Sequence, residues 1–86
     1  MDRIERIKKI LKKNLEPTHL ILNDKSKKHS GHNDFDGSGI THLYLEISSI
    51  FFKNKKLIDI HRRINLLIKD EYQKGLHAIE IKIIKH

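Results

Sequence analysis

Seven histidines and no cysteine set the range of chemistry open to this chain. Neutral imidazole is a metal ligand, and it exchanges a proton near neutral pH. Without thiols, disulfides and thiolate metal sites within the chain are excluded. Any metal it holds must be ligated by His, Asp or Glu. His29 and His32 stand three apart in the stretch Asp24–His42, DKSKKHSGHNDFDGSGITH, which also holds three of the four glycines. Both could reach one ion from a loop, and loop histidines are equally at home as plain surface residues. His77 opens a β-prone segment and shares parity with Ile79 and Ile81, which points it towards the covered side. Its plain reading is a half-buried ring satisfied by backbone. His61 falls inside a helical pattern beside Arg62 and Arg63. His42 falls on the polar side of an alternating strand and reads as solvent-facing.

Other chemistries find little support. Nucleophilic catalysis needs a nucleophile, a base and an orienting group together. None of Ser26, Ser30, Ser38, Ser48 and Ser49 lies in a GxSxG elbow. Asp24, Asp34 and Asp36 lack the spacing and terminal Glu of an EF-hand. There is no Walker A motif and no dinucleotide fingerprint, so no enzymatic activity is expected. The balance of 18 Lys and Arg against 11 Asp and Glu gives a formal charge of +7. That favours nucleic acid or an acidic protein as partner. Lys53, Lys55, Lys56, Arg62 and Arg63 are the candidate nucleic-acid-binding residues. An AT-rich genome yields the same Lys, Ile and Asn bias without any function. Aromatics for base stacking are also sparse: Tyr44, Tyr72 and three phenylalanines, at least two of which read as buried.

The elements that must position these groups follow from periodicity. In Asp2–Asn14, with Leu15 just beyond, Ile4, Ile7, Ile10, Leu11 and Leu15 form one helical stripe. Asp2 with Glu5 is a candidate capping box, and Pro17 stops the helix. Lys8, Lys9, Lys12 and Lys13 read as a solvated face. Thr18–Asn23 is a short strand. Thr41–Ser49 is a second, with Leu43, Leu45 and Ile47 on one side and His42, Tyr44 and Glu46 on the other. The connection between them is far longer than a hairpin needs, which is a functional hint. Ile50–Phe52 suits one helical turn, and Lys53–Lys55 a polar break. Lys56–Lys74 reads as the longest helix, with Leu57, Ile60, Ile64, Leu67 and Ile68 inward and Gly75 as its stop. Leu76–Lys85 is the third strand. The order helix, strand, strand, helix (in one piece or two), strand predicts a single α+β domain over residues 1–86, with a three-stranded mixed sheet and helices on one face. A chain of this length buries only about 60–65% of its unfolded surface, which favours a shallow or shared site over a deep pocket. No apolar run approaches the roughly 20 residues of a membrane span. The N-terminal MDRIERIKK lacks the apolar core of a secretory signal. A cytoplasmic location and no membrane partner are therefore expected.

Taken together, several short patterns resemble the BolA family. They are Asp24-x-Ser26 with Lys28-His29, Ser30-Gly31-His32, Gly39-Ile40-Thr41-His42-Leu43, Ser49-x-x-Phe52, His61-Arg62-Arg63-Ile64-Asn65 and Leu76-His77-Ala78-Ile79. The likeness runs over essentially the whole chain. It implies a class II KH-like α+β fold and a monothiol glutaredoxin as partner. It also implies a [2Fe–2S] cluster shared with that partner and glutathione, with none in the isolated chain. By motif position the ligands are His77 and His29, with His32 as the alternative in the loop. Some members are described as transcriptional regulators, so DNA is the second partner implied, and a weak homodimer is left open. Two departures stand out. Lys25 replaces the usual Glu of Asp-Glu-Ser, and Asn54 replaces the Gly of Phe-x-Gly. The sequence ends soon after the third strand, so the C-terminal extension of some relatives is not expected. Imidazole in place of thiolate raises a cluster's potential and makes ligation acid-sensitive.

Overall fold

The computed structural model describes residues 1–26 and 39–85. Helix α1 spans Arg3–Leu15, and Asp2 caps it by accepting from the Glu5 amide at 2.9 Å. Ile7, Leu11 and Leu15 are buried, and Ile4 packs partly buried against the core. Glu16, at φ 43°, turns the chain out of the helix just before Pro17.

Strands β1 (His19–Asp24) and β2 (His42–Ser48) pair antiparallel, with Leu20 opposite Ile47 and Leu22 opposite Leu45. A 3-10 turn at Ile50–Phe52 follows, with Ser49 capping it. Helices α2 (Leu57–Leu67) and α3 (Lys69–Gln73) then carry the chain back. Strand β3 (Ala78–Ile83) lies parallel to β2, with Leu43 beside Ile79 and Leu45 beside Ile81. A parallel neighbour requires such a crossover. The sheet order is β1-β2-β3. Leu43, Leu45 and Ile47 meet Ile7, Leu11, Ile60, Ile64 and Ile68 in one core. The other face of β2 carries His42, Tyr44 and Glu46, all half-buried.

The α+β class, the element order and the mixed sheet agree with the sequence reading. Two local expectations are corrected, and one left open is decided. The helical stretch over Lys56–Lys74, left open as one piece or two, is two helices, because Ile68 (φ −104°, ψ 14°) leaves helical geometry between them. Leu57 does not face inward; at the first turn of α2 it is 53% exposed. The last strand begins at Ala78, so His77 lies ahead of it. The pleat therefore does not govern that side chain, and it is exposed rather than turned to the covered side. Of the phenylalanines, Phe52 is buried, Phe51 is 47% exposed, and Phe35 lies outside the described residues, so the expectation of two buried ones is not decided.

Candidate metal centre and basic groove

His42 and His77 meet at one end of the sheet. Their ring centroids are 5.5 Å apart and the rings stand at 84°, edge to face. His42 comes from the first residue of β2 and His77 from the residue before β3. The parallel register sets His42 beside Ala78, so the two histidines are brought together by the ladder itself. The amides of His77 and Ala78 both donate to the carbonyl of Thr41, at 2.9 and 3.3 Å. The Thr41 hydroxyl lies 2.9 Å from Nδ1 of His42 and orients that ring. His42 is thus half-buried and packed, not solvent-facing as its place on the polar side of a strand suggested. The useful signal was available: in a parallel pair the starts of both strands lie at one end of the sheet.

His29 and His32 lie outside the described residues. The chain entering their segment is anchored by Ser26. Its Oγ accepts from the amides of Thr41 and His42 at 2.8 and 3.0 Å. The Ser26 amide in turn donates to Asp24 Oδ1 at 2.8 Å, and the Lys25 amide to the carbonyl of His42 at 2.8 Å. Both ends of the long connection are therefore tied beside His42. Among the described residues no three or more of His, Cys, Asp or Glu cluster in a way that could hold a metal ion. His42 and His77 are at most half of a centre.

Three charged residues that the sequence reading passed over, Arg3, Arg6 and Glu71, sit behind this end. Arg3 is fully buried, and its Nε donates to Glu71 Oε1 at 3.0 Å. Its Nη1 donates to the carbonyl of Ile40, and its Nη2 to that of Lys74 at 2.7 Å. Arg6 completes the group, donating to both oxygens of Glu71 at 2.8 and 2.9 Å. The hydrogen bonds from Arg6, then those from Arg3, hold the Glu71 carboxyl below its ordinary range despite the opposing effect of burial. The signal lay in the stripes. Arg3 continues the four-residue spacing of Ile7, Leu11 and Leu15, and Glu71 follows Ile60, Ile64 and Ile68.

On the open sheet face, His19 Nε2 lies 2.9 Å from Glu46 Oε1, and the Tyr44 hydroxyl donates to Glu46 Oε2 at 2.9 Å. The hydrogen bond to Glu46 raises the Tyr44 pKa, and the bonds from Tyr44 and His19 lower that of Glu46. His61 is half-buried on α2.

Of the candidate nucleic-acid residues, Lys53, Lys55 and Lys56 follow the far end of β2, and Arg62 and Arg63 lie on α2. Lys53, Lys55, Lys56, Arg62 and Arg63 are all exposed. Asn54 takes a left-handed conformation at φ 64°, in the place where the family pattern has glycine. Lys55 and Arg63 line one cavity with Phe51 and Ile60; Lys53, Asn54 and Lys85 line another with Ile50 and Phe52. Among the described residues, no helix is long and apolar enough to cross a membrane.

Comparison with known proteins gives a consistent answer. The family model described as BolA-like protein matches residues 11–85. The SufE-like protein 1 of Arabidopsis thaliana, chloroplastic/mitochondrial, is 42% identical over 88% of this chain. The chloroplastic protein BOLA1 of the same plant is 35% identical over 93% of it. The chain spans only 22% of the first relative and 51% of the second. The solved structure of BolA1 from Arabidopsis thaliana superposes with a TM-score of 0.86 at 33% identity, covering 99% of this chain and 93% of that one.

Proposed function

The chain belongs to the BolA-like family, and from that premise we propose that it is a non-enzymatic partner of a monothiol glutaredoxin. In this reading it contributes histidine ligands to a bridging [2Fe–2S] cluster in iron–sulfur cluster handling or iron and redox regulation. The observation that carries the reading is the pairing of His42 with the exposed His77 at one end of the sheet. The donor set fits half a centre. This chain offers imidazole nitrogens and no thiol, so thiolate ligands would come from the glutaredoxin cysteine and glutathione. His77 is the fixed ligand. The second imidazole comes from His29, with His32 as the alternative, and His42 joins them as a candidate through its place beside His77. Electron storage, or transfer of iron and sulfide to an acceptor, is the chemistry a bound cluster would supply. The chain's own residues present and orient imidazole: Thr41 turns the His42 ring, and the Thr41 carbonyl holds the His77 backbone.

Reconstitution with glutaredoxin, glutathione, iron and sulfide tests this. The visible spectrum of the heterodimer should change, and cluster loss should speed up, in His77→Ala. An unchanged spectrum and lifetime would remove His77 from the site. Separate His29→Ala, His32→Ala and His42→Ala variants assign the second ligand, whose loss should also shorten the cluster's lifetime.

A second reading is DNA binding for transcription regulation. It is favoured by five exposed cations, Lys53, Lys55, Lys56, Arg62 and Arg63, of which Lys55 and Arg63 line a groove with Phe51. Retention of duplex DNA at physiological salt, lost in the Arg62→Ala/Arg63→Ala double variant, would establish it.

A further inference from the structure

We infer that Arg3 is a positioning residue for the imidazole pair. The inference rests on the reading of His42 and His77 as one site. Strand pairing begins at His42 and Ala78. Just ahead of it the Thr41 carbonyl takes the His77 amide, and two backbone segments lead into that contact: Ile40-Thr41 to His42, and Lys74-Gly75-Leu76 to His77. The guanidinium of Arg3 spans both. Nη1 takes the carbonyl of Ile40, two residues before His42, and Nη2 takes that of Lys74, three residues before His77. The third corner of the fork, Nε, rests on Glu71. The Leu76 amide bonds back to the Glu71 carbonyl at 2.9 Å, so the helix end that anchors the fork also launches the His77 segment.

Guanidinium is suited to this work because its donors diverge at fixed angles within one plane. An ammonium can satisfy one or two of these acceptors and fixes no angle between them. Full burial of the side chain keeps water from substituting for the lost bonds. The clasp thus ties the docking of α1 onto α3 to the backbone that carries both rings.

The isolated protein tests this through the nuclear Overhauser contact between the ring protons of His42 and His77. In Arg3→Lys, with far-UV circular dichroism unchanged, that contact should weaken several-fold. Ile64→Val trims the core and lowers stability without touching the clasp, and it should keep the contact at full strength. An unchanged contact in Arg3→Lys, or an equal loss in Ile64→Val, overturns the proposal. Should Arg3→Lys fail to fold, Glu71→Gln retains an acceptor for the fork while weakening it. A several-fold drop there supports the proposal and no drop overturns it. Because no cluster enters this measurement, a His77→Ala variant that leaves the cluster unaltered sinks the functional reading alone.

Discussion

Glu71 serves two guanidiniums with one carboxylate, and the arrangement holds only while that carboxylate is ionised. It is 2% exposed, so each unmet hydrogen bond there is felt in full. Its folded pKa lies below the ordinary 4.5, first because of the bonds from Arg6 and then because of those from Arg3. A depressed folded pKa means the stabilisation is complete above the unfolded value and is lost as pH falls through the folded one. Urea unfolding followed against pH should therefore show an acid-side loss of stability that is much smaller in Glu71→Gln. Glu71→Ala should cost about 3–5 kcal/mol at neutral pH, since it strands a buried Arg3. A cost below about 1 kcal/mol would mean that water or another acceptor replaces the carboxylate. Tyr44 supplies a second test at this scale. Its raised pKa comes chiefly from the hydrogen bond to Glu46, whereas Tyr72 is raised by burial alone. Ultraviolet titration of Glu46→Gln should bring Tyr44 down towards the ordinary value of 10.0 and leave Tyr72 where it is.

Each segment leading to an imidazole is fixed by a local device. Ser26 Oγ accepts from two successive amides, Thr41 and His42, a contact that ties the start of β2 to the end of β1. Ser26→Ala leaves both donors without that oxygen and should cost about 1–3 kcal/mol. Amide exchange at Thr41 and His42 should accelerate with it, and unchanged protection there would show that another acceptor steps in. Gly75 takes φ 110° where α3 gives way to the His77 segment. Gly75→Ala should cost more than about 1 kcal/mol, because a Cβ is disfavoured there. Gly75 was legible as a helix stop, as were the α1 stripe and the β2 alternation, because periodicity reports which face is covered. The break at Ile68 was not legible, since the inward spacing of Ile60, Ile64 and Ile68 runs unbroken through it. Nor was the role of Arg3, because a charge on an apolar stripe reads as an interruption until its partner is known. Glu71 is that partner, 68 residues away in sequence. Motif position singled out His77 as a candidate; that His42 lies beside it emerged only once the parallel register placed the two strand starts side by side.

The chain as a whole separates its two candidate surfaces. Strand β2 starts at His42 and ends at Ser48, and the basic turn begins only after Ser49. A partner seated at the imidazole end therefore leaves the cations around Lys53–Lys56 and Arg62–Arg63 accessible, and the two surfaces should respond differently to salt. With a net charge of +7, encounter with an acidic partner face is steered. Added salt should slow association and leave dissociation nearly constant, because screening acts on the approach rather than on the formed contact. DNA behaves otherwise, since each phosphate contact releases a counterion and log K falls linearly with log salt. If all five candidate cations contact phosphates, the slope should be roughly −4.5, and Arg62→Ala/Arg63→Ala should flatten it by about 1.8. Under the proposed glutaredoxin partnership, the same double variant should reconstitute a cluster as the unaltered chain does, while His77→Ala should leave the DNA slope untouched. If either variant alters both activities, the two ends are not independent, and the assignment of cluster and nucleic acid to opposite ends of the sheet falls.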